Sequence, residues 1–401
     1  MPTDPRGLRG DAPLLDAWLR FQEAAPTPFT IPGHKQRHDL VGDVVAGDVP
    51  LYAGLDTMKL SRGVVGQAEA QAAHLWGADL CRFSVGGSTH GNQALALAIG
   101  RPGDRVVVAR TLHRSMLLGL VLAGLEPVWV RPEVDPAHGL PLGVTAAALE
   151  KALTSAPDAK GVFIGEPSYV GTVGDVSALA EVAHRHGIPL VIDAAWGAHL
   201  GFHPRLPPHA LQAGADALVT SAHKALPAWS QGALVLARTT RIGRAQFDAA
   251  VEATATTSPS GAILASIDAA RALLQRGGEA LLEPVIEAVA TARTRLSTIP
   301  GLIVLDGPTV DPTRLVLVLP GTGADGNEVE QDLLARGMPV EMADRDTIVA
   351  MVTMADRPEA IDELAGALAE SIHTRRSVAR PVVVSGVWAV DPVTVMSPRE
   401  A

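Results

Sequence analysis

Cysteine is all but missing: Cys81 is the single one in 401 residues. That excludes a disulfide framework and fits a reducing compartment. Aromatic residues are scarce, with six Trp, two Tyr and six Phe, so bases of a single strand would find no stacking platform. Positive charge is not in excess either. The formal net charge is −10, and the one dense basic cluster, His373–Arg376, reads as a solvated helix end, which disfavours nucleic-acid binding. Long apolar runs are absent. "LLGLVLAGL" falls well short of the roughly 20 residues a membrane helix needs, and the opening "MPTDPRGLRG" is polar where a secretion signal would be apolar. The expectation is a soluble cytoplasmic protein with no membrane and no nucleic acid among its partners.

What is present is an apolar supply, 47% of the residues, ample for one large core or two unequal ones. Between about 77 and 240, short β-branched runs recur: "RVVVAR" (105–110), "EPVWVR" (126–131), "GVFIGEP" (161–167), "PLVID" (189–193), "ALVTSA" (217–222) and "GALVLAR" (232–238). Stretches of helical period separate most of them, such as "DVSALAEVAHRHG". The alternation predicts an α/β fold, a mostly parallel sheet with helices on both faces. Helical texture dominates from about 240 to 298. Strand-like "GLIVLDG", "RLVLVLPG" and "TIVAMVTM", with helices near 325–336 and 357–376, predict a smaller α+β unit. The expected division is 1–75 as an N-terminal segment with helices, 76–295 as the large domain, 296–380 as the small one and 381–401 as an extended tail.

Ligands of such sheets bind beyond the carboxyl ends of the strands, and three groups there can do chemistry. "SVGGSTHGNQALALAIG" (84–100), placed before the first of those strands, sets Gly87, Ser88 and Thr89 at a helix start. Backbone N–H groups, hydroxyls and the helix dipole suit an anion, although a helix cap has the same residues. Asp193 ends an apolar run, where a carboxylate is costly unless it meets a cation or donors; capping the next turn is the commoner role for an Asp after a strand, and pairing with a protonated ring nitrogen is the other. Lys224 follows another run, beside His223. A lysine in a desolvated site can lose its proton and bond an aldehyde as an imine. Together the three are the contacts that pyridoxal 5'-phosphate needs from a protein: a phosphate cradle, a carboxylate for the ring nitrogen and an imine lysine. No metal site is expected, because Gly201 and Pro204 interrupt any helix that would align His199 with His203.

The chain also resembles the bacterial ornithine/lysine/arginine decarboxylases of the aspartate-aminotransferase-like fold. The resemblance rests on "TPFTIPGHK" (27–35), "SVGGSTHGNQA" (84–94), "RTLHRSMLLGLVLAGLEPVWV" (110–130), "EPSYVGTVGDV" (166–176), "VIDAAWGAHLGFHPRLP" (191–207), "TSAHKALPAWSQGALV" (220–235) and "TTSPSGAILASIDAAR" (256–271). It implies the large domain of a fold type I enzyme, with Lys224 as imine lysine, Asp193 at the pyridine nitrogen and His113 stacked on the ring. It further implies Gly87, Ser88 and Thr89 at the phosphate, Ser221 and His223 on the phosphate or imine side, Trp196 as a pocket wall, and Ser258 reaching a neighbouring subunit's phosphate. Read without it, His113 is a polar residue at a helix start, Trp196 is core and Ser258 is a helix cap. The implied reaction is decarboxylation of lysine, ornithine or arginine to the amine and CO2, in polyamine metabolism. Lys224 or His223 returns the proton, in a homodimer or larger homo-oligomer.

Two departures stand out. Asp56–Lys59 reads Asp-Thr-Met-Lys where the family usually has Asp-Asp-Leu-His. Family members also continue into a C-terminal domain, so 381–401 reads as the start of a missing one. Alternatives are an aminotransferase or carbon–carbon lyase, with Arg314, Arg345 or Arg357 as a carboxylate anchor, and a catalytically silent regulatory subunit. A basic substrate needs an acidic group at the far end of the pocket; Asp56, Glu166 and Glu341 are the candidates.

Overall fold

The computed structural model describes residues 3–24, 32, 34–35, 38–49, 63–382, 390 and 393–401. The segment around Asp56–Lys59 lies outside them. In chain order the helices are α1 (Pro13–Ala24), α2 (His38–Val41), α3 (Val64–Leu75), α4 (Gly87–Ile99), α5 (Arg114–Ala123), α6 (Ala146–Ser155), α7 (Val176–Arg185), α8 (Ala222–Ala225), α9 (Arg244–Thr254), α10 (Gly261–Leu296), α11 (Gly326–Ala335) and α12 (Pro358–Thr374). The strands are β1 (Leu80–Ser84), β2 (Arg105–Ala109), β3 (Glu126–Val130), the hairpin β4 (Val134–Asp135) and β5 (Leu140–Pro141), β6 (Val162–Gly165), β7 (Leu190–Asp193), β8 (Ala217–Ser221), β9 (Ala233–Ala237), β10 (Ile303–Val304), β11 (Arg314–Val318), β12 (Met342–Ala343) and β13 (Thr347–Met351).

Seven strands form the large sheet in the order β1-β9-β8-β7-β6-β2-β3. β3, β2, β6, β7 and β8 pair in parallel, and β9 runs against both β8 and β1. The α/β class and the mostly parallel sheet agree with the sequence. One strand differs: β1 precedes the glycine turn, whereas the sequence reading started the sheet at 105. Arg82 interrupts the apolar texture of β1, and its guanidinium is turned to Glu69 and Asp248.

The strands present opposite faces to two apolar layers, as a period of two requires. Val162, Ile164, Ile192 and Leu218 join one core with α1, α3, α6, α7 and α10. Phe163, Val191, Val219 and Val235 join the other, with α4, α5 and α9. β8 is buried at every position, the pattern of a strand covered on both sides.

α10 leaves helical dihedrals at Gly277 and carries Pro284 inside it. Beyond it lies a four-stranded antiparallel sheet, β10-β11-β13-β12. Its core includes Leu315, Leu317 and Ile348, with Val289 of α10 and Leu368 of α12. Arg293 ties α10 to this sheet, donating to Asp306, to the Asp311 carbonyl and to the Arg314 carbonyl. No helix among the described residues is long and apolar enough to cross a membrane.

Helix α4 sits directly on the sheet because Gly91 has no side chain. A Cβ there would come within 2.7 Å of Val219 Cγ1 and 2.9 Å of Val235 Cγ2, and branched valines have little room to turn away. Gly91→Val is therefore expected to cost about 1–3 kcal/mol of stability by overpacking, measured by denaturant unfolding; an unchanged midpoint would contradict this packing.

Candidate active site

β7 and β8 are parallel neighbours, with Asp193 opposite Val219. Their carboxyl ends therefore open on one side of the sheet. A cavity of about 910 Å³ lies there. Gly87, Ser88 and Thr89 line it from the start of α4, His113 from the start of α5, Asp193 from the end of β7, Trp196 from the loop after it, Ser221 from the end of β8, and His223 and Lys224 from α8. Nine of the ten expected residues thus share one space. Ser258 does not: it lines an adjoining cavity of about 410 Å³, with Gly86 and Gln231 common to both. Nor does it cap α10, whose preceding residue is Ser260. A larger cavity, about 1110 Å³, runs along β3 and gathers Arg105, Lys151, Glu126 and Glu133 but none of the expected residues.

The glycine turn is shaped by its own backbone. Gly87 has φ +67°, a conformation glycine adopts without steric cost. Ser84 Oγ accepts from Gly86 N–H and lies 3.1 Å from the Gly87 carbonyl and 2.8 Å from His90 Nδ1. Ser88 and Ser221 bring their hydroxyls within 2.6 Å of each other, joining the α4 turn to the end of β8. Two hydroxyls at the N-terminus of a 13-residue helix suit an anionic group.

Asp193 accepts from Asn92 Nδ2 at 2.6 Å and, through its other oxygen, from Ala195 N–H at 3.1 Å. The turn-capping role and the cavity-facing role coexist. Burial pushes this carboxyl up from its ordinary value, while Asn92, Ala195 and the charges of His113 and Lys224 hold it down. Lys224 Nζ stands 3.6 Å above the Trp196 ring. Burial pulls the ammonium below its usual range, against Asp193 and Glu341, and Arg314 adds to the fall. An amine so placed loses its proton more easily and can act as a nucleophile. The His223 ring donates Nδ1–H to the Gly232 carbonyl, leaving Nε2 as its basic nitrogen when neutral. His113 caps α5 and accepts the Ser115 N–H at Nδ1.

These groups fit pyridoxal phosphate. A carboxylate and a desolvated lysine occupy adjacent strand ends, a hydroxyl-bearing helix start lies beside them, and all open on one cavity. Asn92 and Ser115 are site residues that the sequence reading passed over. Both lay inside quoted stretches, but their importance comes from the packing of α4 on α5. Of the acidic candidates, Glu166 lines the cavity yet its carboxylate accepts from Gly174 N–H, and Glu341 lies by Tyr169 Oη at 3.3 Å. Arg314 is buried near the Trp196 ring at 5.2 Å, while Arg345 and Arg357 are exposed. Among the described residues no cluster of His, Cys, Asp or Glu could hold a metal ion.

The profile described as Orn/Lys/Arg decarboxylase, major domain, matches residues 12–306. The chain is 30% identical to the arginine decarboxylase of Bacillus subtilis (strain 168) over 417 residues, covering 98% of this chain and 84% of that protein. Lysine decarboxylase A from Pseudomonas aeruginosa superposes with a TM-score of 0.78 at 20% identity, over 90% of this chain and 60% of that one. The chain thus spans about 60% of that lysine decarboxylase's length. An SPT variant solved with PLP gives a TM-score of 0.66 at 15% identity, over 92% of this chain and 85% of that one. At those identities the two structures speak to the fold.

Burial pushes the Glu166 carboxyl from 4.5 up to about 7, partly offset by the Gly174 N–H. A carboxyl with a raised native pKa binds its proton more tightly folded than unfolded. Its contribution is therefore complete at acid pH and is lost as pH rises through about 7. Glu166→Gln is expected to match the parent at about pH 4, below the ordinary value, and to exceed it near pH 8 by about 1–3 kcal/mol. Denaturant unfolding at the two pH values checks this, and equal loss in both proteins would refute it.

Proposed function

Because the chain belongs to the Orn/Lys/Arg decarboxylase family, and is with it a pyridoxal-phosphate-dependent amino-acid decarboxylase, we propose that it acts on a basic amino acid: arginine, lysine or ornithine. The observation that carries the reading is the shared cavity of Lys224 and Asp193 at neighbouring strand ends. Bound there, pyridoxal phosphate supplies a sink for the electron pair left on the α-carbon when CO2 departs. Lys224 would hold the cofactor aldehyde, and Asp193 would keep the ring nitrogen protonated. Gly87, Ser88, Thr89 and Ser221 would take the phosphate, and His113 and Trp196 would bound the ring. The low-lying Lys224 ammonium, or His223 through Nε2, would return a proton to the α-carbon. Ser258 would serve the same phosphate-side role from the neighbouring cavity only across a subunit boundary. We read the protein as a cytoplasmic homodimer or larger homo-oligomer, with 76–295 as the cofactor unit and 296–380 as the smaller one.

The basic substrate is supported by Glu341. Its carboxylate meets Tyr169 Oη, the Tyr169 ring packs edge-on against Trp196 at 5.1 Å, and Trp196 lies under Lys224. Its negative charge is felt at both Lys224 and Arg314. A cationic side chain extending from Lys224 past Trp196 would approach that carboxylate. One observation favours transamination instead: Arg314, buried beside Trp196, could take a substrate carboxylate.

A survey of arginine, lysine and ornithine, measuring CO2, amine and keto acid, decides between them. Amine and CO2 from one of the three are expected; no release from the cofactor-loaded protein, or keto acid in place of amine, would reject the proposal. Lys224→Ala is expected to abolish amine formation. Glu341→Gln, an exposed charge, is expected to raise KM for the basic substrate about two- to fivefold with kcat little changed, and an unaltered KM would remove Glu341 from the substrate site.

A further inference from the structure

Asn92 is fully buried in α4, and its amide is used in one direction only. The Nδ2 group donates to Asp193 Oδ2 at 2.6 Å and to Ser115 Oγ at 2.8 Å. The Oδ1 atom is buried without a partner, a costly arrangement. Turning the amide over would let the Ser115 hydroxyl donate to the amide oxygen, but it would press that oxygen against the Asp193 carboxylate at hydrogen-bond distance. Asp193 therefore sets the orientation of Asn92.

The orientation passes on. Ser115 Oγ receives one hydrogen from Asn92, so its own is available to His113 Nδ1 at 2.8 Å. The Ser115 backbone N–H also points at Nδ1, at 3.2 Å. Two donors converging on Nδ1 leave no room for a hydrogen there. A neutral ring must then carry its hydrogen on Nε2. Protonating the second nitrogen would set an N–H against both donors.

We propose that Asn92 and Ser115 are positioning residues: they hold His113 as the neutral, Nε2-protonated imidazole and Asp193 as an ionised acceptor, so that the ring facing the cofactor carries no charge. The charged groups facing His113 are Asp193 at the end of β7, Lys224 in α8 and Arg114 in its own helix. Asp193 favours the cation, whereas Lys224, Arg114 and, above all, burial oppose it. The role toward the cofactor rests on the function proposed above, whereas the protonation state of His113 does not.

The test is the long-range ¹H–¹⁵N spectrum of ¹⁵N-histidine-labelled protein, recorded with and without pyridoxal phosphate, with His113 assigned from a His113→Gln sample. The expected result is a bare Nδ1 and a protonated Nε2, neutral at pH values where a free histidine, titrating near about 6.5, is half charged. Ser115→Ala and Asn92→Ala should each raise the His113 midpoint by about half a unit or more, Ser115→Thr should restore it, and Asn92→Ala should weaken cofactor retention about tenfold through Asp193. A cationic or Nδ1-protonated His113 in the parent protein at neutral pH would overturn the inference, and so would a midpoint unmoved by both alanine variants. If the variants do not fold, the parent spectrum alone decides. Amine release with the wrong tautomer defeats this inference and spares the decarboxylase reading; the right tautomer with no amine does the reverse.

Discussion

Two parallel strands, β7 and β8, pair so that Asp193 lies across from Val219, and Ser221, His223 and Lys224 follow within a turn of chain. Everything at the cavity depends on that register. A slip of one residue would turn Asp193 to the other face of the sheet and into apolar surroundings. Burial of β8 at every position makes such a slip expensive, because each side chain already has an apolar layer to fill. The pairing thus brings a carboxylate and an amine, both partly buried, to one cavity. That is why burial moves both in opposite directions, the acid up and the amine down.

The second constraint is polar and lies between the two sheets. Asp311 N–H donates to the Gly171 carbonyl and Val173 N–H to the Thr309 carbonyl, so the loop after β6 is laced to the chain before β11. Beneath it, His199 Nε2 lies 3.0 Å from Asp311 Oδ2, and Thr313 donates to the same carboxylate. The charge of His199 and these bonds hold Asp311 far below the usual carboxylate range despite its burial. Removing one member of such a pair strands the other in a dry interior. Here that would loosen the segment carrying Tyr169 and the loop carrying Trp196 together, and both of those residues line the cavity.

Parts of this were legible in the sequence for physical reasons. The runs at β6, β7 and β8 read plainly because strands covered on both faces must be apolar throughout. Asp193 and Lys224 stood out because a charge ending such a run is anomalous. β1 was missed because Arg82 sits in its middle, its charge answered by Glu69 and Asp248 from elsewhere in the chain. β12, only two residues long, carries no periodicity to find. Asn92 and Ser115 look like ordinary helical residues, and only the crossing of α4 and α5 brings them to Asp193 and His113. His113 shows how two readings can both hold: it caps a helix, and the same bond points its ring at the cavity.

The central claim is that one lysine, in α8 just past the end of β8, holds the cofactor. Borohydride reduction of the cofactor-loaded protein would fix the vitamer to its lysine, and peptide mapping would locate it. The account predicts label on the peptide containing Lys224 and its disappearance in Lys224→Ala. Label on Lys151 or Lys160 instead, or none on a protein saturated with the cofactor, would contradict it.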